Sequence, residues 1–399
     1  MTPDASPTVL PDPVPETLAN ARASRVKRAT FILLTVLLAI AVSLLAFESL
    51  LRVLKRAEPV VSGWRGTTGD EYRFQHNQLG FRGVPIEYLP DDFVVLLVGD
   101  SQVEAVACSY FYMPERRLEH YLSRGRRVRV FSLAAGGWGQ DQELLALREY
   151  FEKYRADLVI VWETPGNDIW NNTFPTMDPA GQHPKPTFWL ENGMLQGPTT
   201  RIGEVVSSRF HLVTAYQHLF VSRDGEWERR LPPPYVPMRE YRGPVKMTWQ
   251  SFWDHGIGNI RGDNMDTEKS HQAIHLTPRS PRTQYGIDLT HRLLEEMSRE
   301  ATAHGASFVT FWVNGRNPEV DVEDTEEAVF VLNGKYYRVS GRQKFATMDD
   351  VNAGLEHYVQ QAPKEEPRFS PTDGHLNEHA VDEVMHDLAE IIARRSGHS

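Results

Sequence analysis

Cysteine is almost missing from this chain: Cys108 is the single one in 399 residues. Intrachain disulfides and cysteine-based zinc sites are therefore excluded, and the fold must rest on its hydrophobic core. Excess positive charge is missing as well. Lys and Arg number 43 against 53 Asp and Glu, a formal net charge of -10. Such a balance does not supply the basic face that a nucleic-acid partner requires. The chain also lacks a phosphate-binding loop, a dinucleotide glycine fingerprint and a closely spaced set of metal ligands, so no cofactor is expected. What remains is a protein with 41% hydrophobic residues, enough for one large or two modest globular domains.

One apolar run stands out near the start. Met1 to Asn20 is rich in Pro, Ala, Thr and acids without apolar periodicity, and residues 1–28 are predicted to be a disordered tail. Arg22, Arg25, Lys27 and Arg28 then precede an uncharged, mostly apolar stretch from Ala29 to Phe47, which continues past Glu48 to Leu51. At ~1.5 Å per residue, residues 29–51 can span a bilayer core of roughly 30 Å. A cleaved signal peptide would usually be shorter and end at small residues, whereas this run ends in Phe47-Glu48-Ser49-Leu50-Leu51-Arg52. The expectation is an uncleaved single-pass anchor. Arg52, Lys55 and Arg56 nearly balance the leading basic cluster, and the preferred orientation keeps the short tail cytoplasmic and the large domain outside.

Residues 52–92 form a connecting region that includes Asn77-Gln78-Leu79-Gly80-Phe81-Arg82-Gly83. From residue 93 to 396 the pattern is that of an α/β domain. Phe93 to Val98, Val128 to Leu133, Leu158 to Trp162 and Ser307 to Val313 are short apolar runs, as expected for strands buried on both faces of a parallel sheet. Helical segments are predicted up to about Ser123, over Gln142 to Tyr154, over Ile287 to His304 with Gly305 ending it, and from Glu378 to about Arg395 with Asn377 at the N-cap. Strands alternating with helices imply right-handed crossovers and a doubly wound, mainly parallel, three-layer sheet. Residues 170–282 interrupt this pattern with a Pro- and aromatic-rich insertion. Asn192-Gly193 and Asn333-Gly334 mark hairpins. Trp249, Phe252 and Trp253 could stack on sugar rings or simply anchor the insertion.

The chemistry-bearing residues fall at strand ends, where open α/β sheets place their ligand sites. Gly99-Asp100-Ser101 follows the first strand, Gly136-Gly137-Trp138-Gly139 the second, and Pro165-Gly166-Asn167-Asp168 the third; Asp373-Gly374-His375 precedes the last helix. A serine hydroxyl becomes nucleophilic when an imidazole takes its proton and a carboxylate holds that imidazole in the right tautomer. Blander roles exist for each residue: Ser101 as a helix cap, the glycines as a turn, Asn167-Asp168 as an Asx turn and Cys108 as a small core residue. Asp100, beside the serine, is expected to fix the loop by hydrogen bonding.

Taken in order, these blocks resemble the SGNH/GDSL hydrolase family over residues 93–168 and 283–395. The resemblance implies Ser101 as nucleophile, His375 as base and Asp373 as its carboxylate partner. Its oxyanion hole would comprise the backbone N–H groups of Ser101 and Gly137 and the Asn167 side chain. The last block departs from the family's Asp-x-x-His, since Asp373 stands two positions before His375 and Thr372 three before it. Similar Asp-x-His spacing occurs in sugar O-acetyltransferase relatives. Three readings follow: a serine esterase acting on acyl esters of an exported glycan or other envelope substrate, an O-acyltransferase served by a membrane protein that delivers the acyl donor, or a binding or scaffold protein. Ester-bearing small molecules or glycans are the expected partners, with no nucleic acid.

Overall fold

The computed structural model describes residues 16–54, 76–123, 126–177, 185–199, 210–213, 225–245, 247–248, 265–315, 327–332, 334–370 and 373–395. Residues 1–15 of the expected tail, much of the connecting region and the aromatic group Trp249, Phe252 and Trp253 lie outside them. The chain divides into two units. One comprises residues 1–60 with 207–221, and the other residues 61–206 with 222–399.

The first unit is built on helix α1 (Glu16–Val53). It starts well before Ala29, so residues 16–28, expected in the tail, are helical; Leu18, Ala19, Ala21, Arg22 and Ala23 are good helix formers. Ser24–Val53 is long and apolar enough to cross a membrane, its most apolar stretch of 18 residues having a mean hydropathy of 2.7. Its large apolar side chains, among them Phe31, Leu38 and Leu45, are exposed along the helix. Near its end, Glu48 accepts hydrogen bonds from Arg52 Nε at 2.7 Å and from the backbone N–H groups of His211 and Leu212 at 3.1 and 2.8 Å.

The second unit holds a five-stranded parallel sheet. Its first strands are β1 (Phe93–Gly99), β2 (Val128–Ala134) and β3 (Leu158–Glu163). A small hairpin, β4 (Thr187–Glu191) and β5 (Met194–Thr199), turns through Asn192 and Gly193, both at positive φ as Asn-Gly predicts. The backbone of β6 (Met247–Thr248) pairs with a second hairpin, β8 (Ala328–Leu332) and β9 (Lys335–Val339). Asn333, in the turn of that hairpin, lies outside the described residues. Strands β7 (Ser307–Asn314) and β10 (His357–Gln361) complete the large sheet in the order β2-β1-β3-β7-β10. This is the flavodoxin-like order, whose topological switch point lies between β1 and β3.

Residues along β1 alternate between the two faces: Val94, Leu96 and Val98 join one core, Val95 and Leu97 the other. The first core is closed by α4 (Gln140–Phe151), α6 (Pro281–Ala303) and α7 (Gly341–Val351) through Leu144, Leu147, Leu293, Met297 and Val351. The second is closed by α3 (Pro114–Leu122) and α8 (Glu378–Arg395) through Leu118, Val381, Met385 and Leu388. The doubly wound three-layer arrangement is therefore present. Helices α2 (Ser101–Glu104) and α5 (Pro165–Thr173) follow β1 and β3 directly.

Some boundaries differ from the sequence pattern. Helix α6 begins at Pro281, before the expected Ile287, because Ser280 caps it by accepting from the Thr283 N–H at 2.9 Å and Pro281 fits the first turn. Edge strand β10 was not anticipated, since His357-Tyr358-Val359-Gln360-Gln361 is too polar to read as a buried strand. His375 lies in a short strand, β12 (Asp373–Leu376), paired with β11 (Arg368–Ser370), where a loop was expected.

Candidate active site

The register places the candidate residues at one edge of the sheet. Gly99 stands level with Ala134 on β2 and with Trp162 on β3, so the chain leaves all three strands together. A Cβ on Gly99 would lie 2.5 Å from Val103 Cγ2, which is why the tight exit from β1 takes glycine. Asp100 then caps α2: its carboxylate accepts from the Gln102 N–H at 2.9 Å and leaves Ser101 as the first helical residue.

Asp100 is the point at which these segments are tied. Its other contacts are Thr164 Oγ1 at 3.1 Å and Asn167 Nδ2 at 3.1 Å, so the turn carrying Ser101 is bound to the start of α5. Burial pushes the Asp100 carboxyl up, against the hydrogen bonds from Gln102, Asn167 and Thr164 and the positive charge of His375. Asn167 is fixed further by its own N–H to Thr164 O at 2.8 Å. Its amide carries a second donor N–H besides the one used on Asp100. Asp168, next along, is buried and holds the Thr164 N–H at 2.8 Å and Gln140 Nε2 at 2.7 Å. Burial and the charges of Asp100 and Glu163 hold its pKa well above the ordinary carboxylate range. Glu143, also buried, is pushed the same way by burial and by Asp168.

The glycine loop is tied to α2 by a second carboxylate. Glu104 Oε2 accepts from the Gly136 N–H at 2.7 Å, and a Cβ on Gly136 would stand 4.0 Å from Ser101 Cβ. Gly137 has φ +75°, a left-handed conformation, and a Cβ there would meet Met177 O at 3.3 Å. Only glycine takes that backbone without strain. Burial raises the Glu104 pKa, opposed by the Gly136 N–H and the Arg82 charge.

His375 reaches this edge from the far end of the chain. Its neighbour Leu376 donates its N–H to Gln102 Oε1 at 3.3 Å and accepts from Cys108 Sγ at 3.6 Å. Ser109 N–H bonds Glu378 Oε1 at 2.8 Å, at the start of α8. The strand bearing His375 thus packs on the segment after Ser101, and its charge is felt at both Asp100 and Glu104. The backbone of Asp373 pairs with Ser370, while its side chain lies outside the described part. Burial pushes the Cys108 thiol up to about 11, as befits a core residue. Among the described residues no group of three or more His, Cys, Asp and Glu is placed to hold a metal ion.

The motif blocks pointed to Ser101, Gly137, Asn167 and His375. Thr164, Glu104 and Arg82 were not singled out, although they supply hydrogen bonds and charge that hold this edge. Glu104, one turn after Ser101, and Arg82, inside the Gly80-Phe81-Arg82-Gly83 stretch, were the signals available.

No model of a protein family matches this chain, and no curated protein matches it. Among solved structures it is similar to a proposed arylesterase from Agrobacterium tumefaciens str. C58, 12% identical, with a TM-score of 0.34, over 76% of this chain and 99% of that one. It is also similar to an acetyl xylan esterase from the rumen bacterium Butyrivibrio proteoclasticus, 10% identical, with a TM-score of 0.33, over 79% of this chain and 66% of that one. At these TM-scores the likeness bears on neither fold nor activity.

Proposed function

We propose that the chain is a membrane-anchored serine esterase of SGNH type, which removes acyl groups, chiefly acetyl, from an exported glycan or another envelope substrate. The supporting observation is the Asp100 node: one buried carboxylate ties the turn bearing Ser101 to Asn167 at the β1/β3 switch point. In this reading His375 takes the Ser101 proton as Oγ attacks the ester carbonyl. The N–H groups of Ser101 and Gly137 and the Asn167 amide receive the oxyanion, and the leaving alcohol takes the proton from His375. Water, deprotonated by His375, then attacks the acyl-serine and releases the carboxylic acid. Asp373 is proposed to orient His375, and the anchor to hold the domain outside the membrane with the short N-terminus in the cytoplasm.

The Asp373-Gly374-His375 spacing favours one further reading, transfer of the acyl group to a sugar hydroxyl in place of water, with a separate membrane protein supplying the donor. Full-length protein extracted from membranes that withstand alkaline carbonate, given an acetylated glycan with and without a deacetylated acceptor, separates the two. Free acetate in both cases is the expected result. Product only when acceptor is present would establish the transferase, and a chain released by carbonate would remove the anchor.

A further inference from the structure

The segment Asn77-Gln78-Leu79-Gly80-Phe81-Arg82-Gly83 precedes the sheet and takes no part in the proposed chemistry, yet it is built into the site. Asn77 Oδ1 accepts the N–H groups of Leu79 and Phe81 at 3.0 and 3.1 Å, and its Nδ2 donates to Ser132 O on β2 at 3.2 Å. Ser132 Oγ donates to Arg82 O at 2.7 Å, and Glu115 accepts from the N–H groups of Val84 and Ser132. A Cβ on Gly83 would fall 2.3 Å from Glu115 Oε2, so the residue after Arg82 takes glycine.

These contacts deliver the Arg82 side chain, which is 3% exposed, to the far end of α2. Its Nη1 donates to Glu104 O at 2.8 Å and to Ala105 O, and its Nη2 to Cys108 O at 2.8 Å. A helix of four residues has terminal carbonyls without intrahelical partners. Here the guanidinium satisfies that of Glu104 and, just past the helix, those of Ala105 and Cys108. Ala105, where α2 ends, has φ 47° and ψ 48°, a left-handed conformation that a non-glycine residue holds only when its surroundings enforce it. The same positive charge faces the Glu104 carboxylate that holds the Gly136 N–H.

We propose that Arg82 is a positioning residue, which fixes Ser101 and the Gly136-Gly137 loop relative to each other by clamping the carbonyls that end α2. The inference rests on the reading of Ser101 as the nucleophile. Lysine cannot replace Arg82, because one ammonium lacks the planar fork that spans separate carbonyls while keeping the charge.

The test uses full-length protein in detergent, with active sites titrated by a fluorophosphonate and acyl transfer followed with p-nitrophenyl acetate. Arg82→Lys is expected to lose ~10²-fold in kcat per titrated site with KM little changed, the scale of a misplaced reacting group. A merely structural role would lower the number of titratable sites and leave the rate of each unchanged, and that result overturns the inference. If Arg82→Lys yields no folded protein, Glu104→Ala removes the other end of the bridge: a fall of ~10-fold or more per site is expected within the same range, and an unchanged rate overturns it. Absence of labelling at Ser101 in the wild type would instead remove the serine reading, and the inference with it. Labelling at Ser101 with equal per-site rates in wild type and Arg82→Lys removes the inference alone.

Discussion

The carboxylates buried around the sheet edge have divided roles. Asp100 and Glu104 receive backbone N–H groups from the loops they hold. Glu163, at the end of β3, is instead enclosed with Asn352, whose Nδ2 lies 3.2 and 3.0 Å from its two oxygens. Burial raises its pKa from 4.5 to about 8. The folded chain therefore holds this proton more tightly than the unfolded one, so the contribution of Glu163 to stability is fully present below pH 4.5 and is lost as pH rises from there to about 8. Glu163→Gln cannot ionise, and its melting temperature should decline less steeply than the wild type's across that window. Parallel melting curves of the two proteins would contradict the assignment. At this scale Ser101, Gly137, Asn167 and His375 stood out as candidates because each lies in a short motif. The bonds from Asp100 to Asn167 and from Glu104 to Gly136 were not, because no local pattern in the sequence records a hydrogen bond between segments 67 or 32 positions apart.

Among the elements, strands buried on both faces were the most readable, since continuous Val, Ile and Leu runs leave little else for such a segment to be. Short amphipathic pieces were the least readable. Strand β12 has four residues, and His375 within it is held by pairing to β11 and by Leu376 on Gln102. Asn377 fixes the passage from that strand into α8. Its Oδ1 accepts the Ala380 N–H at 2.9 Å while its Nδ2 donates to Glu366 O at 2.7 Å and Arg368 O at 3.2 Å. Asn377→Ala should cost about 1 kcal/mol in chemical denaturation, the usual loss of an N-cap. Asn377→Asp, which keeps the cap acceptor but not the donor, should recover part of it. Denaturation midpoints equal to the wild type for both variants would show that the cap does not hold this junction.

For the whole molecule, the alternation of strands and helices specified a doubly wound sheet, and the observed order places the β1/β3 switch point where Ser101 and Asn167 emerge. Charge and cysteine content could exclude partners and crosslinks but could not choose a substrate, because the same fold serves many chemistries. The central claim is that Ser101 carries the acyl group between donor and acceptor. Rapid quenching of the full-length protein during turnover of p-nitrophenyl acetate, followed by peptide mass mapping, tests it directly. An acetyl group is expected on Ser101 in the wild type, with neither the adduct nor turnover in Ser101→Ala. Unimpaired turnover by Ser101→Ala, or an acetyl group on another residue that turns over in its place, would contradict the account.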